Sequence, residues 1–298
     1  MKDKNNSNFS ALWVRYSDYE FKKVDDEIYI TPTYNATAEI FDPFKYTDTI
    51  LVDILNIGKL NSLDETNLVN EKVLEFVKKY GLLGFFTYCP LNSKNLFTQK
   101  TIYLKKNNFI AKKESMPFKD YIDLFLKCDD TNIIELHKGD IGYFASYNNE
   151  MNPNLILNKG LEYGIVFSKG YSEKLSWFVD YANEIYQQFF SIGRYYITDE
   201  LVEKKTADLY IRSFMPDNIS CILTLTKNKP TLTWNFNSLR LALDTMLYLE
   251  LSAERQLLKM CKHCYKPFYS NNPKSEYCSP QCRNQANVYK SRGKKKDQ

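Results

Sequence analysis

The chain has 298 residues, of which 44% are apolar, 26% charged and 15% aromatic, the composition of an ordinary globular protein with room for a sizeable core in one or two domains. The formal charge of +4 is unevenly held: residues 261–298 carry nine Lys or Arg against two acids, a net of +7, whereas residues 1–260 carry 31 against 34, a net of −3. Apolar stretches are short or broken by charge, which excludes a membrane-spanning segment, and MKDKNNSNFS lacks the apolar core of a secretory signal. The expected location is therefore cytosolic, where seven cysteines are thiols or metal ligands rather than disulfides.

Residues 1–10 are polar. ALWVRYS and EIYITPTYN alternate and are rich in β-branched and aromatic side chains, so both read as strands. TDTILVDILNIG predicts a helix over 47–58. A clearer one covers 65–80, where Leu68, Val69, Val73, Phe76 and Val77 recur at helical spacing and Gly81 follows as a stop. TIYLKKNNFIAKK predicts a hairpin turning at 106–108, and PFKDYIDLFLK a helix over 117–127 with Pro117 in its first turn. The Asn-, Pro- and Gly-dense stretch 146–160 reads as a long loop or a subdomain boundary. SEKLSWFVDYANEIYQQFF predicts a helix over 172–190, and strands flank a turn at 227–230. This order suits an α+β body better than a regular βαβ series.

SLRLALDTMLYLELSAERQLLKM predicts a long, largely buried helix over 238–260, capped by Ser238 and running directly into Cys261. The expected organisation is an α+β body over 1–236, a connecting helix over 237–260 and a four-cysteine zinc finger over 261–298.

Cys261, Cys264, Cys278 and Cys282 are spaced C-x2-C-x13-C-x3-C. A C-x2-C turn presents two thiolates to one ion, and an i, i+4 pair on a helix presents two more from one face. In YCSPQC, Ser279 can cap a helix and Pro280 fits its first position, so Cys278 lies just before the helix and Cys282 in its first turn. KPFYSNNPKSEY reads as a hairpin around an Asn-Asn-Pro turn, which completes a treble-clef arrangement for Zn2+. Lys262, Lys266 and Arg283 would offset the excess negative charge of four thiolates, while His263 is surplus to a filled ligand set. Cys89, Cys128 and Cys221, far apart with apolar neighbours, are expected to be buried thiols.

With its leucine-rich approach, the aromatics Phe268 and Tyr269, the Tyr277-Cys278-Ser279 run and Asn284 after the last cysteine, the segment 257–292 resembles the C-terminal zinc fingers of bacterial proteins of the CGNR type. In those proteins Gly-Asn-Arg follows the last cysteine; here the residues are Arg283, Asn284 and Gln285, and only Asn284 keeps its place. The resemblance covers about the last eighth of the chain. It implies an α+β N-terminal domain and a role in transcription regulation.

Beyond Cys282, Arg283, Asn287, Lys290 and Lys294 fall on one basic helical face, and Ala286 and Tyr289 lie with Cys282 on another. Gly293 is expected to end the helix, and Lys294, Lys295 and Lys296 form a cluster after it. This surface suits phosphates, with Asn284, Gln285 and Asn287 able to read base edges and Arg292 adding charge. A nucleic acid, DNA before RNA, is the expected partner; a protein partner is the alternative. For an enzyme the sequence offers little. It has two histidines, His137 and His263, and no Gly-rich phosphate loop, H-E-x-x-H or G-x-S-x-G. ELHKGD around His137 reads as a surface turn, so no catalytic residue is assigned, though carboxylate chemistry in the body stays open.

Overall fold

A computed structural model describes residues 13–24, 26–85, 101–103, 115–117, 172–198, 204–206, 220–225, 230–236, 238–254 and 257–294. Helix and sheet are mixed, as expected, with the four cysteines gathered at the C-terminal end. By packing, the chain divides into two compact units of three segments each: Met1–Pro43, Leu74–Phe178 and Asp217–Leu241 form the first, and Phe44–Val73, Val179–Pro216 and Ala242–Gln298 the second.

The described strands of the first unit pair antiparallel. β1 (Trp13–Tyr16) pairs with β4 (Ala38–Phe41), and β3 (Glu27–Pro32) lies between β2 (Tyr19–Val24) and the short β7 (Glu173–Lys174). Tyr16, Tyr19, Tyr29 and Ile30 are buried, as are Phe76 and Tyr80 from the C-terminal end of α2 (Thr66–Tyr80). Gly81 ends α2 as its position in the sequence suggests. Its φ of +84° is open to glycine without a Cβ clash, and its N–H donates to Val77 O at 2.7 Å. The turn that follows is bonded to β1: the Trp13 indole N–H donates to Leu82 O at 3.0 Å, and Arg15 donates to Lys79 O.

Two further small sheets lie in this unit among the described residues. β5 (Thr101–Tyr103) pairs with β6 (Ser115–Pro117), so its partner lies further along the chain than the expected hairpin. Pro117 faces Thr101 at the end of β6 and so does not lie in the first turn of a helix. A strand end in a two-stranded sheet tolerates the missing N–H. The turn at 106–108, the rest of 117–127 and the stretch 146–160 lie outside the described residues, as do Cys89, Cys128 and His137. β8 (Ser220–Leu225) and β9 (Pro230–Asn235) form the expected hairpin.

The second unit is mainly helical. α1 (Thr47–Asn61) buries Ile50, Leu51, Ile54 and Leu55, which recur at one-turn spacing along one face. α3 (Leu175–Thr198) continues past Phe190, and Ser172 lies before it, because Glu173 and Lys174 pair with β3. Within the second unit α1 and α3 approach so closely that a Cβ on Gly58 would strike Ala182 O, which explains a glycine inside a helix. α3 is joined to α4 (Leu239–Ser252) by Tyr181 Oη donating to Asp244 at 2.8 Å and Tyr248 Oη donating to Gln188 at 3.2 Å.

Ser238 caps α4 as expected, accepting the Leu241 N–H at 3.1 Å. The helix does not reach Met260, however; it stops at Ser252, and Leu258–Met260 is strand β10. Leu258 and Met260 are buried while Lys259 between them is not. Residues two apart share a face in a strand but lie on opposite sides of a helix. Leucine-rich composition therefore misread a period of two as a continuing period of 3.6. β10 pairs with β11 (Pro267–Tyr269), which packs against α1, and a Cβ on Gly193 of α3 would press on the Met260 side chain.

Candidate metal centre and the helix beyond it

The β10–β11 hairpin is closed by the first cysteine pair. Cys261 N–H donates to Lys266 O at 3.0 Å and Tyr265 N–H to Cys261 O at 2.9 Å, so the chain reverses between Cys261 and Cys264 and presents both thiols on the inside of the turn. Tyr265 takes the left-handed conformation this requires, with φ of +58°. That conformation is uncommon outside glycine and asparagine. Its ring is engaged by α3: Phe190 meets it edge-on at 5.5 Å, and the Arg194 guanidinium lies 5.9 Å from its centroid. The hairpin thus spans the knuckle itself. The expected hairpin within 266–277 is corrected: only Pro267–Tyr269 is a strand there, and the segment after it turns. Lys259 Nζ holds that turn by donating to Asn272 O at 2.7 Å and Pro273 O at 2.9 Å.

The second pair sits at the start of α5 (Pro280–Lys294). Pro280 occupies the first helical position, and Ser279 Oγ accepts the Cys282 N–H at 3.2 Å, the cap expected from the sequence. Cys282 therefore points back from the first turn towards Cys278. The four Sγ atoms lie within 4.8 Å of one another, with Cys264–Cys278 at 3.7 Å and Cys278–Cys282 at 3.5 Å. Cys261 is buried and the other three are half-buried.

The surroundings treat the four thiols unequally. Burial pushes the Cys261 thiol up, but backbone N–H groups of Cys264, Cys278 and His263 outweigh it and bring the thiol down to about 7. Burial pushes Cys278 up to about 12, reinforced by the thiols of Cys282, Cys264 and Cys261, and burial likewise raises Cys264. Backbone donors favour the Cys261 thiolate most, and the Lys266 N–H also favours that of Cys264; a bound cation would let all four thiols ionise. The N-terminus of α5 adds partial positive charge at the same place. The arrangement can hold a metal ion with soft, four-fold sulfur coordination. Lys262 is committed elsewhere, forming a 2.6 Å ion pair with Glu276, and the Lys262 N–H donates to Glu276 O, so it braces the loop.

His263 lies inside the knuckle but is used as a brace. Its Nε2 is 3.1 Å from Gln285 Oε1, and its ring stacks on Tyr289 with centroids 5.7 Å apart. Gln285 and Tyr289 are four residues apart on α5, a spacing that places them side by side. That spacing was visible in the sequence; its partner across the loop was not. Of the residues expected to meet nucleic acid, Arg283, Asn284, Asn287, Lys290 and Arg292 are exposed on α5, Lys294 ends the helix, and Lys295 and Lys296 lie outside the described residues. Gly293 falls inside the last turn and does not end the helix.

No protein-family model matches the chain, and neither the curated proteins nor the solved structures hold a significant match. Among the described residues no helix is long and apolar enough to cross a membrane.

Proposed function

We propose that the chain is a zinc-binding factor that docks nucleic acid through α5 and the basic residues after it. Zn2+ is the ion the ligand set favours. Four thiolates around one zinc, with Zn–S bonds of about 2.3 Å, stand about 3.8 Å apart, close to the 3.5 and 3.7 Å sulfur separations found here. The observation that carries the docking reading is the charge of α5. From Pro280 to Lys294 the helix has four basic side chains and no acid. Arg283, Asn284, Asn287, Lys290 and Arg292 are all exposed. The metal site fixes one end of this helix, which positions phosphate-binding cations on a defined surface. The likeness of 257–292 to CGNR-type fingers favours DNA over RNA and a regulatory role.

The test is a mobility shift with the full, zinc-loaded chain. Binding to mixed-sequence oligonucleotides should weaken steeply as salt rises. The combined variant Arg283→Gln, Lys290→Gln, Arg292→Gln should bind more weakly and with a shallower salt slope; an unaltered shift overturns the reading. A second reading, a protein adaptor, draws on the exposure of Val288 (45%) and Tyr289 (65%) on the same helix. It gains if the chain ignores every oligonucleotide yet retains a stoichiometric protein partner after nuclease treatment.

A further inference from the structure

We infer that Tyr289 is a stacking platform for an unpaired base, so that the ligand of this finger is a single-stranded stretch of polynucleotide. The inference rests on the reading of α5 as a nucleic-acid surface and narrows it. Tyr289 is 65% exposed, so core filling does not explain it. Neither is it a loose surface ring: it stacks on His263 at an interplanar angle of 25°, and His263 is held in turn by Gln285. His263 sits between the ligands Cys261 and Cys264, so the metal-held knuckle fixes the ring pair before any ligand arrives. Preorganisation of this kind lowers the ordering cost of binding.

The surroundings select the ligand. Arg292 lies three residues beyond Tyr289 on the helix and Lys290 is next to it; both are exposed, as are Gln285 and Asn284 with their amide groups. Aromatic faces flanked by cations and amides suit a polyanion whose bases can splay out. In a duplex every base face is covered by its neighbours in the stack, so an exposed tyrosine ring gains nothing from it. An unpaired base offers a π-face that extends the His263–Tyr289 stack, while the cations take the flanking phosphates. The same surface suits a protein less well, because Val288 and Tyr289 are its only large exposed apolar side chains among the described residues of the helix.

Binding of the full, zinc-loaded chain is compared across single-stranded DNA, single-stranded RNA and the matching duplexes by fluorescence anisotropy. Tyr289→Ala should weaken both single strands about tenfold, the loss of one stacked base, and leave duplex binding unchanged. Tyr289→Phe should behave as the wild type. A second measurement avoids any folding defect of the variant: a single strand carrying a photoreactive iodouracil, irradiated on the wild-type chain, should cross-link to the peptide containing Tyr289. Equal losses on single strands and duplexes, no loss on either, or cross-links that map only elsewhere would overturn the stacking role while leaving α5 as a phosphate-binding surface. Absence of binding to every oligonucleotide removes the docking reading itself, and the stacking role with it.

Discussion

Two tight turns in this chain gather acidic groups, and they do so to opposite ends. In the first unit, the turn after α2 wraps the buried carboxylate of Glu173. Leu83 N–H donates to Oε2 at 2.9 Å, and the N–H groups of Gly84 and Phe85 donate to Oε1, the latter at 3.1 Å. Gly81 and Gly84, with φ of +84° and +74°, aim those N–H groups inward, and a Cβ on Gly84 would collide with the Trp13 ring. The anion and its donors both come from the chain. In the second unit, the knuckle and the α5 N-terminus bring four thiols together but provide backbone donors mainly for Cys261. The first cluster is complete as folded. The second gathers four sulfur donors that a cation could join, and that difference separates a candidate ligand site from an internal brace.

Breaking the second cluster should have the larger effect. Cys282→Ser, or chelation of the wild type, would remove the proposed Zn2+, an ion whose binding supplies on the order of 10 kcal/mol of local folding energy in small zinc modules. Bound metal, measured by elemental analysis, should fall from one ion per chain, and amide exchange should rise across Leu258–Met260 and α5. Tryptophan emission should stay constant, because Trp13, Trp177 and Trp234 all belong to the first unit. Metal loss with unchanged exchange would contradict a folding role for the ion.

Breaking the first cluster should be milder but should register in the other signal. Glu173→Gln removes the charge and turns an amide N–H towards backbone donors, at a cost on the order of 3 kcal/mol. Urea unfolding followed by tryptophan emission should shift to lower denaturant, with metal content unchanged. A variant as stable as the wild type would mean that the three N–H groups find other acceptors.

The smallest effect belongs to the ion pair that braces the finger. Lys262, hydrogen-bonded to Glu276, holds the Glu276 carboxyl below its usual value of 4.5. Because the folded-state value is depressed, the pair's contribution is fully present above about 4.5 and is lost as pH falls through the lower folded value. The two side chains are 41% and 50% exposed, so Glu276→Gln should cost the finger at most about 0.5 kcal/mol near neutral pH. Exchange rates of variant and wild type should converge in acid. A difference that grows on acidification would reverse the sign argued here.

Much of this was legible along the chain. Each of α1, α2, α3 and the β8–β9 hairpin follows from a local period, and the caps at Ser238 and Ser279 follow from one residue placed before an apolar or proline start. β2 (YEFKKV) and β4 (AEIF) carry weaker signals: β4 has only four residues, the two adjacent lysines of β2 break its alternation, and each is a strand because β3 or β1 offers it a partner. The end of α4 was misread for the same reason. Leucines continue beyond Ser252, but Leu258 and Met260 are drawn into a hairpin whose other strand lies beyond the first cysteine pair.

The sequence by itself picked out the four cysteines that cluster, since their spacing fixes which thiols a turn and a helix start can bring to one point. It also determined the basic character of α5, because charge is a property of composition. Only the tertiary structure decided that the thiols converge to within 4.8 Å, that Lys262 is spent on Glu276, and that His263 stacks on Tyr289 instead of joining the cysteine cluster. Those three outcomes depend on groups distant in sequence competing for the same space and the same partners, and local periodicity carries no record of that competition.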